Sequence, residues 1–345
     1  MSYNIALNFE DGVTRFISCK AGETVLDAAY RQKVNLPMDC SDGVCGTCKC
    51  RCEQGAFDMG DEYLEEALTE EEAAEGLVLT CQMVPASDCV VRVPTASTLC
   101  KTQVGEIGGC VAAVAELSDS SIELAVDLAE DVELAFLPGQ YINIRVPGSE
   151  QTRSYSFSSR SGDKRASFLI RNVPNGLMSR YLTQAAGVGD SLTLTGPLGS
   201  FYLREVKRPV LMLAGGTGLA PFLAMLATLT ERGCEQPVHM IYGVTRDSDL
   251  VKLEQLDEAA SKLPGFSYAT CVVDEESRHP RKGYVTQHLD PAVLYDGDVD
   301  VYLCGPPPMV DAVRRHFREQ GITPASFHYE KFAPSLAAPA EEVAA

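Results

Sequence analysis

The stretch Cys40-Ser-Asp-Gly-Val-Cys45-Gly-Thr-Cys48 decides how the first part of the chain folds. Its three cysteines have the spacing C-x4-C-x2-C, and a fourth, Cys81, follows after 32 intervening residues. This spacing is typical of the four thiolates that hold the two irons and two sulfides of a [2Fe–2S] cluster. Cluster sulfurs also need backbone N–H donors around them. Gly43 and Gly46 allow the loop to bend tightly and bring main-chain amides close.

A zinc site, a disulfide pair and scattered buried thiols are the alternative uses of these cysteines. Zinc sites usually contain two C-x2-C pairs, whereas this stretch has one. A disulfide needs an oxidising compartment, and the first residues do not resemble a signal peptide. The total of 13 cysteines is odd, which favours metal ligands and thiols over a disulfide framework. Cys50 and Cys52 alternate with Cys48 in a strand-like run and could in principle be ligands.

The composition is that of a globular protein with two or three domains. The chain has 345 residues, of which 45% are hydrophobic and 22% are charged. The net charge of −19 argues against nucleic acid as a partner. No apolar run is long enough to cross a bilayer, so we expect a cytoplasmic protein without a membrane anchor.

The acidic residues are concentrated in the part that contains the cysteine stretch. Residues 1–99 contain 17 Asp and Glu against 7 Lys and Arg, and no base lies between Arg51 and Arg92. The run Asp61 to Glu75 alone holds eight acids. Such a face is either a docking surface for a basic partner or a solvated surface that keeps the protein soluble, and the sequence leaves both open.

Short strands and two helices are expected around the cysteine stretch. Asp11-Gly12 is a strong hairpin turn. Thr24 with Asp27, and Thr69 with Glu72, have the spacing of helix-capping boxes. The predicted elements are a hairpin at 4–9 and 13–19, helices after Thr24 and Thr69, and strands at 77–79 and 89–93.

This order describes a β-grasp domain, and residues 1–97 resemble a plant-type ferredoxin domain. The resemblance implies that Cys40, Cys45, Cys48 and Cys81 are the cluster ligands. It leaves Cys50 and Cys52 as packed thiols beside the cluster.

A second domain is expected after a connection at residues 98–108. Short strands at regular intervals, with one helix near Met178–Ala186, predict a closed antiparallel β-barrel. The predicted strands are 110–117, 121–128, 140–146, 153–158, 166–173 and 191–195.

Arg153-Ser154-Tyr155-Ser156 lies in one of these strands and resembles the R-x-Y-S signature of the ferredoxin–NADP reductase superfamily. The resemblance implies FAD, with Arg153 at its diphosphate, Tyr155 against the isoalloxazine ring and Ser156 near flavin N5. These roles suit the residue types, because arginine offers a planar fork to phosphate and tyrosine offers a flat face with a polar tip.

Gly176, Met178 and Ser179 open the helix that interrupts the barrel strands. A glycine and a serine at a helix N-terminus form a natural phosphate site. The superfamily uses the matching segment for the flavin diphosphate. An ordinary turn glycine is the alternative for Gly176.

A doubly wound α/β domain is expected from Pro209 onward. The buried strand 210–214 leads directly into Gly215-Gly216-Thr217-Gly218-Leu-Ala-Pro221 and a helix that ends at Gly233. This loop is neither a Walker A sequence nor a true G-x-G-x-x-G, so a plain glycine turn is an alternative. It resembles the superfamily's G-G-T-G-x-A-P loop, which implies a nicotinamide dinucleotide. Later strands are predicted at 238–244, 268–273 and 299–304, and helices at 249–263 and 307–320.

Two further segments are expected to complete this site. Cys304-Gly305-Pro306 ends a predicted strand at the carboxyl edge of the sheet, where such folds bind ligands. The resemblance implies that Cys304 lies near nicotinamide C4, and that Glu330 and Phe332, expected after a final strand, reach back to the flavin. Ser156, Cys304 and Glu330 are therefore the candidate catalytic residues. The remaining residues, 333–345, are rich in Ala and Pro and are expected to be disordered.

The order of the three pieces is that of reductases that serve ring-hydroxylating dioxygenases. The chain resembles the reductase components of benzoate, toluate and anthranilate 1,2-dioxygenases, most clearly at 11–16, 37–40, 67–69 and 207–213. The predicted boundaries are a ferredoxin domain at 1–98, a linker at 99–107, an FAD-binding barrel at 108–204 and an NAD-binding domain at 205–332.

The resemblance implies a path from NADH through FAD and the [2Fe–2S] cluster to a Rieske-type oxygenase component. A reductase of a soluble di-iron monooxygenase would have the same domains, and an electron-transfer module without turnover is the non-catalytic alternative. The resemblance favours NADH over NADPH, and the family binds the adenosine ribose near Asp247 and Asp249. Either aspartate would repel a 2′-phosphate, although Arg246 could bind one.

Overall fold

The computed structural model describes residues 2–38, 43, 46–60, 63–65, 67–100, 105–129, 134–199 and 201–332. Four earlier expectations therefore concern residues outside this part of the chain: Cys40, Cys45, part of the acidic run and the tail 333–345. The chain divides into two compact units, one formed by residues 1–106 with 195–202 and the other by residues 107–194 with 203–345. Among the described residues, no helix is both long and apolar enough to cross a membrane.

The first unit is built on a mixed sheet with strand order β2-β1-β7-β3-β5. Strands β1 and β2 form the predicted antiparallel hairpin, and β1 also pairs with β7 in parallel. The elements are β1 (Ser2–Phe9), β2 (Thr14–Lys20), α1 (Val25–Arg31), β3 (Lys49–Gln54), β4 (Phe57–Asp58), α2 (Glu70–Ala74), β5 (Leu77–Leu79), β6 (Val84–Pro85) and β7 (Cys89–Val93).

The two helices of this unit begin where their threonines predict. Thr69 Oγ1 accepts the N–H of Glu72, and the Glu72 carboxylate accepts the N–H of Thr69, so α2 has the complete capping box. At α1, Thr24 Oγ1 accepts the N–H of Asp27 over 3.1 Å, which is the first half of such a box. Asp27 has a shorter side chain than glutamate, and the structure gives it no return bond to Thr24.

Most of an antiparallel sheet of strand order β11-β10-β13-β8-β9-β12 belongs to the second unit, while the start of β8 and residues 195–198 of β13 are counted with the first. The ends of this order meet, because Phe157 directly after β11 bridges Phe168 in β12, which closes the predicted barrel. Phe136, Phe157 and Phe168 pack in its core. The elements are β8 (Gly105–Ser118), β9 (Ser121–Leu128), β10 (Tyr141–Arg145), β11 (Thr152–Ser156), β12 (Arg165–Arg171), α3 (Leu177–Gln184) and β13 (Ser191–Leu198).

A parallel sheet of strand order β16-β15-β14-β17-β18 completes the second unit. Every residue of β14 is buried, as expected for a strand covered on both faces. The elements are β14 (Val210–Gly215), α4 (Ala220–Arg232), β15 (Val238–Val244), α5 (Leu253–Lys262), β16 (Phe266–Val272), β17 (Asp300–Gly305), α6 (Pro307–Glu319) and β18 (Ser326–Lys331).

Several sequence-based boundaries are wrong. Strand β8 begins at Gly105 rather than at 110 and so includes part of the expected linker 99–107, and β16 begins at Phe266 rather than at 268. Helix α5 begins at Leu253 rather than at 249, because Asp247–Asp249 form a separate 3-10 turn and Lys252 has a left-handed backbone with φ of 62°. Glu330 and Lys331 lie inside the last strand, β18, and not after it. The position inside the strand fixes the direction of the Glu330 side chain through the sheet register.

Candidate functional site

The barrel and the parallel sheet meet at a hydrogen bond between Ser156 and Glu330. Ser156 ends strand β11 of the barrel, and its Oγ lies 3.1 Å from Oε2 of Glu330 in β18. The two residues are only 3% and 8% exposed. A carboxylate at this depth needs donors, and the serine hydroxyl supplies one. Residues that are 174 positions apart in sequence thus form one buried polar pair.

Glu330 lies beside Cys304 in the parallel sheet. Cys304 of β17 is in register with Ala214 of β14 on one side and with Glu330 of β18 on the other. Cys304 is fully buried. The next residue, Gly305, accepts the backbone N–H of Phe332 over 2.9 Å and so holds the start of the C-terminal segment at this edge. The sheet register therefore brings the predicted catalytic residues Ser156, Cys304 and Glu330 together.

The glycine loop after β14 packs on the backbone of the same cysteine. Residues Gly216–Leu219 form a 3-10 turn, and α4 begins at Ala220. A Cβ atom on Gly218 would lie 2.4 Å from the carbonyl oxygen of Cys304, so a larger residue would separate the loop from β17. The loop also lies against barrel strand β12. A glycine is thus required for close backbone packing at the carboxyl edge of the sheet.

The remaining residues of the R-x-Y-S segment alternate between the two faces of strand β11. Arg153 donates to the carbonyl of Thr152 and to Oε1 of Gln151, each over 2.8 Å. Ser154 Oγ donates to Asn143 Oδ1 over 2.7 Å. The Tyr155 side chain is half-buried against the barrel core, and burial raises the pKa of its hydroxyl. Both bonds of the Arg153 guanidinium are with its immediate neighbours, so the fork can be turned towards an anion without disrupting the barrel.

Helix α3 begins at Leu177 with Gly176 as its N-cap, where the sequence predicts a helix start, but the side chains of its first turn already have partners. Met178 is buried in the barrel core. Ser179 Oγ accepts the backbone N–H of Val173 over 2.8 Å and holds the preceding loop in place. A phosphate at this helix end would therefore be bound by backbone N–H groups more directly than by these two side chains.

Cys48 and Cys81 converge in the first unit. Their Sγ atoms are 3.3 Å apart and both residues are buried. Two bonds hold the neighbouring backbone, because the N–H and the hydroxyl of Thr80 both donate to the carbonyl of Cys48. Gly46 has φ of 74°, a conformation that favours glycine in the loop before Cys48. Two convergent buried thiols fit half of the donor set of a [2Fe–2S] cluster, and the other two predicted ligands lie outside the described residues.

Cys50 and Cys52 have surroundings that differ from those of Cys48. Cys50 is 2% exposed within the core, and burial raises the pKa of its thiol to about 12. Cys52 is half-buried, its Sγ donates to the carbonyl of Gln54 over 3.3 Å, and burial raises its pKa to about 11. Both thiols lie in β3, after the loop that ends at Cys48, which agrees with a packing role.

The acidic run is partly neutralised within the protein. Lys49 Nζ lies 2.6 Å from Oε1 of Glu72, and this pair lowers the pKa of the glutamate. Arg51 approaches Glu75 at 3.6 Å. Among the described acids of this run, Glu65, Glu70, Glu71 and Glu75 are exposed, and Glu75 is the one that Arg51 approaches.

The two aspartates predicted to select the nucleotide differ in their contacts. Asp247 Oδ1 accepts the hydroxyl of Ser277 over 2.8 Å. Asp249 instead accepts from Ser120 of the barrel, over 2.5 Å. Sequence reasoning missed both serines, because they lie 30 and 129 positions away and neither stands in a recognisable motif.

Comparison with known proteins gives the same three parts in the same order. A 2Fe-2S iron-sulfur cluster binding domain matches residues 8–86, an oxidoreductase FAD-binding domain matches 109–202, and an oxidoreductase NAD-binding domain matches 212–315.

Similar proteins match the chain along nearly its whole length. The toluate 1,2-dioxygenase electron transfer component of Pseudomonas putida is 58% identical over 335 residues, which cover 97% of this chain and 100% of that protein. The 2-halobenzoate 1,2-dioxygenase electron transfer component of Burkholderia cepacia is 48% identical and covers 97% and 99%. Among solved structures, a cytochrome P450 reductase from Amycolatopsis has a TM-score of 0.70 and 34% identity, and covers 96% of this chain and 99% of its own.

Proposed function

This chain belongs to the family of 1,2-dioxygenase electron transfer components, with their 2Fe-2S, FAD-binding and NAD-binding domains, and we propose that it transfers electrons from NADH to a Rieske-type oxygenase. The oxygenase is proposed to hydroxylate an aromatic acid of the benzoate type. The buried Ser156–Glu330 pair supports this function most directly, because it joins the flavin barrel to the nucleotide sheet beside Cys304. An electron-transfer module without turnover would not need the carboxyl edge of a nucleotide-binding sheet to lie beside the flavin barrel.

FAD, when bound, supplies the chemistry that converts a two-electron hydride transfer into single-electron steps to the cluster. The residues proposed to hold it are Arg153, Ser154, Tyr155, Ser156, Gly176, Met178, Ser179 and Phe332. In this proposal the Glu330 carboxylate accepts the Ser156 O–H and fixes its direction, so that the hydroxyl stays at one point of the barrel surface. A preorganised dipole of this kind needs no reorientation during the reaction.

The nicotinamide dinucleotide is proposed to bind along the carboxyl edge of the parallel sheet. The residues proposed to bind it are Gly215, Gly216, Thr217, Gly218, Cys304, Gly305 and Pro306. The close packing of Gly218 on Cys304 supports this proposal, because it leaves the loop and the end of β17 as one continuous backbone surface. The burial of Cys304 excludes water from the same place.

Cys40, Cys45, Cys48 and Cys81 are proposed as the ligands of the [2Fe–2S] cluster. The exposed acids near it, Glu65, Glu70 and Glu71, are proposed to steer the oxygenase towards the cluster.

The proposal is tested by supplying NADH and the purified protein to several oxygenase components in parallel. Oxygenases for benzoate, toluate and anthranilate form one set, and a soluble di-iron monooxygenase forms the comparison. We expect reduction of at least one of the aromatic-acid oxygenases at a rate that supports turnover, and slow reduction of the di-iron enzyme. Faster delivery to the di-iron enzyme would contradict the proposed partner. Failure of NADH to bleach the flavin would contradict the catalytic function itself.

A further inference from the structure

The turn between β8 and β9 contacts the segment after β15 at two polar points. Ser120 Oγ donates to Oδ1 of Asp249 over 2.5 Å, and Ser118 Oγ donates to the same oxygen over 3.3 Å. At the second point, Nζ of Lys252 lies 2.6 Å from Oε1 of Glu123. In both cases a barrel residue meets a residue of the nucleotide domain, within one compact unit.

The Lys252–Glu123 ion pair is largely shielded from solvent. Its side chains are 14% and 26% exposed, whereas those of Arg160 and Glu231, another ion pair between the barrel and the nucleotide domain, are 45% and 55% exposed. Exposed pairs stabilise a structure little. When the two partners of a shielded pair separate, each charge is left poorly solvated. The paired geometry of Lys252 and Glu123 is therefore strongly favoured over a separated one.

Asp249 is also held firmly from its own side. Its Oδ2 accepts the N–H of Arg246 over 3.2 Å, and its carbonyl accepts the hydroxyl of Tyr242 over 3.1 Å. Tyr242 is fully buried in β15. It is in register with Ala214, which is in register with Cys304. The contact with Ser120 is therefore connected through adjacent strands to the edge where Cys304 and Glu330 lie.

We propose that Ser120–Asp249 and Glu123–Lys252 form a polar clamp that fixes the orientation of the nucleotide sheet against the flavin barrel and so sets the geometry of hydride transfer. This inference rests on the proposed function. The four residues are positioning residues, because they act through β15 and the sheet and not on the reacting atoms. Hydride transfer is sensitive to such positioning, since a misplacement of 1 Å can cost on the order of 100-fold in rate.

The clamp is tested by stopped-flow reduction of the bound flavin with NADH and with NADH deuterated at the transferred position. The variants are Ser120→Ala, Asp249→Asn, Glu123→Gln and the charge exchange Glu123→Lys with Lys252→Glu. A further variant combines Ser120→Ala with Glu123→Gln. We expect its flavin reduction at saturating NADH to be about tenfold slower than in the wild-type protein. The isotope effect should be larger, and the apparent Kd for NADH should change little. The charge exchange should restore part of the rate lost by Glu123→Gln alone.

The control is Asp127→Asn, which removes an exposed bidentate ion pair with Arg165 whose two partners both lie on barrel strands, β9 and β12. This variant should reduce its flavin at the wild-type rate. Wild-type reduction rates and isotope effects in all clamp variants would overturn the clamp, and so would an equal loss in the control. Loss of thermal stability with an unchanged isotope effect would also overturn it, because the contacts would then be structural only. If wild-type protein does not reduce its flavin with NADH, the proposed function fails, which is a separate result.

Discussion

Oγ of Ser156, at the end of a barrel strand, lies 3.1 Å from Oε2 of Glu330, in the last strand of the parallel sheet. Both side chains are almost completely buried. Because Glu330 is in register with Cys304, this single hydrogen bond connects the flavin segment to the nucleotide edge. Substitutions of Ser156 and Glu330 are therefore the most informative tests of the proposed hydride transfer.

Replacement of the serine tests its hydroxyl as a fixed dipole. Its one O–H is donated to Glu330, so Ser156→Ala removes that dipole and leaves the buried carboxylate without this donor. We expect flavin reduction by NADH to slow about 100-fold, on the scale of losing one preorganised group at a reacting centre. Stopped-flow absorbance at the flavin band measures this rate. The matched control is Ser154→Ala, which removes a hydroxyl that bonds Asn143 on the same strand and should reduce the rate far less. Equal losses in the two variants would argue against a special role for Ser156.

Replacement of single cysteines tests the ligand set. Cys48→Ser and Cys45→Ser should abolish or cripple the visible absorption of the [2Fe–2S] cluster, while reduction of the flavin by NADH persists. Cys50→Ser is the matched control, because this thiol lies in strand β3 within the core and is not among the proposed ligands. A normal cluster spectrum in Cys48→Ser, together with its loss in Cys50→Ser, would show that the ligands were assigned wrongly.

The preference for NADH should depend on Asp247. This carboxylate is held by Ser277, whereas Asp249 is engaged by the barrel, so Asp247 is the better candidate for repelling a 2′-phosphate. Wild-type protein should have a clearly higher kcat/KM for NADH. Asp247→Ala should raise kcat/KM for NADPH about fivefold, since removal of one nearby like charge is worth about 1 kcal/mol. Equal kcat/KM values for the two nucleotides in the wild-type protein would refute the preference.

Electron delivery to the oxygenase should slow as ionic strength rises. The Debye length falls from about 10 Å at 0.1 M salt to about 3 Å at 1 M, which screens the exposed acids near the cluster. The combined variant Glu65→Lys, Glu70→Lys and Glu71→Lys should reproduce the loss at low salt, by about tenfold or more. Flavin reduction by NADH in the same variant serves as the internal control and should stay near its wild-type rate. Wild-type delivery by the triple variant would mean that these acids serve solubility only.

The ion pair between Arg31 and Glu23 should make the stability of the first unit depend on pH. Arg31 bonds both oxygens of Glu23 and lowers its pKa from 4.5 to about 2. The depressed pKa means that the stabilisation is complete above pH 4.5 and is lost as the pH falls towards 2. Glu23→Gln should therefore lower the free energy of unfolding at pH 7 by about 1 kcal/mol or less, because solvent screens a pair whose arginine is exposed.

Urea unfolding at pH 7 and at pH 4 measures this dependence. The difference between wild-type and Glu23→Gln protein should already be smaller at pH 4. Glu10→Gln, which changes an exposed carboxylate in the same unit, should leave the urea midpoint unchanged at both pH values. A constant difference between pH 7 and pH 4 would contradict the assignment to this ion pair.

Local signals in the sequence were sufficient for most secondary structure. The Thr69–Glu72 spacing predicts the capping box that α2 has, and Pro221 and Gly233 mark the two ends of α4. The sequence predicts a start of α5 that is too early. Lys252 adopts an unfavourable left-handed backbone just before the helix, and its ion pair with Glu123 helps to offset that cost. That partner is 129 positions away, so no local pattern indicates it.

The sequence by itself determined the order of the three domains, the cysteine spacing and the glycine loop, because each depends on residues that are close together in the chain. The resemblance to known reductases named Ser156, Cys304 and Glu330 but gave no distances among them. Only the tertiary structure decided that Ser156 and Glu330 form one hydrogen bond, and that Asp249 faces the barrel while Asp247 does not. The physical reason is that strand register and barrel closure set these contacts, and both depend on packing between segments more than 100 residues apart.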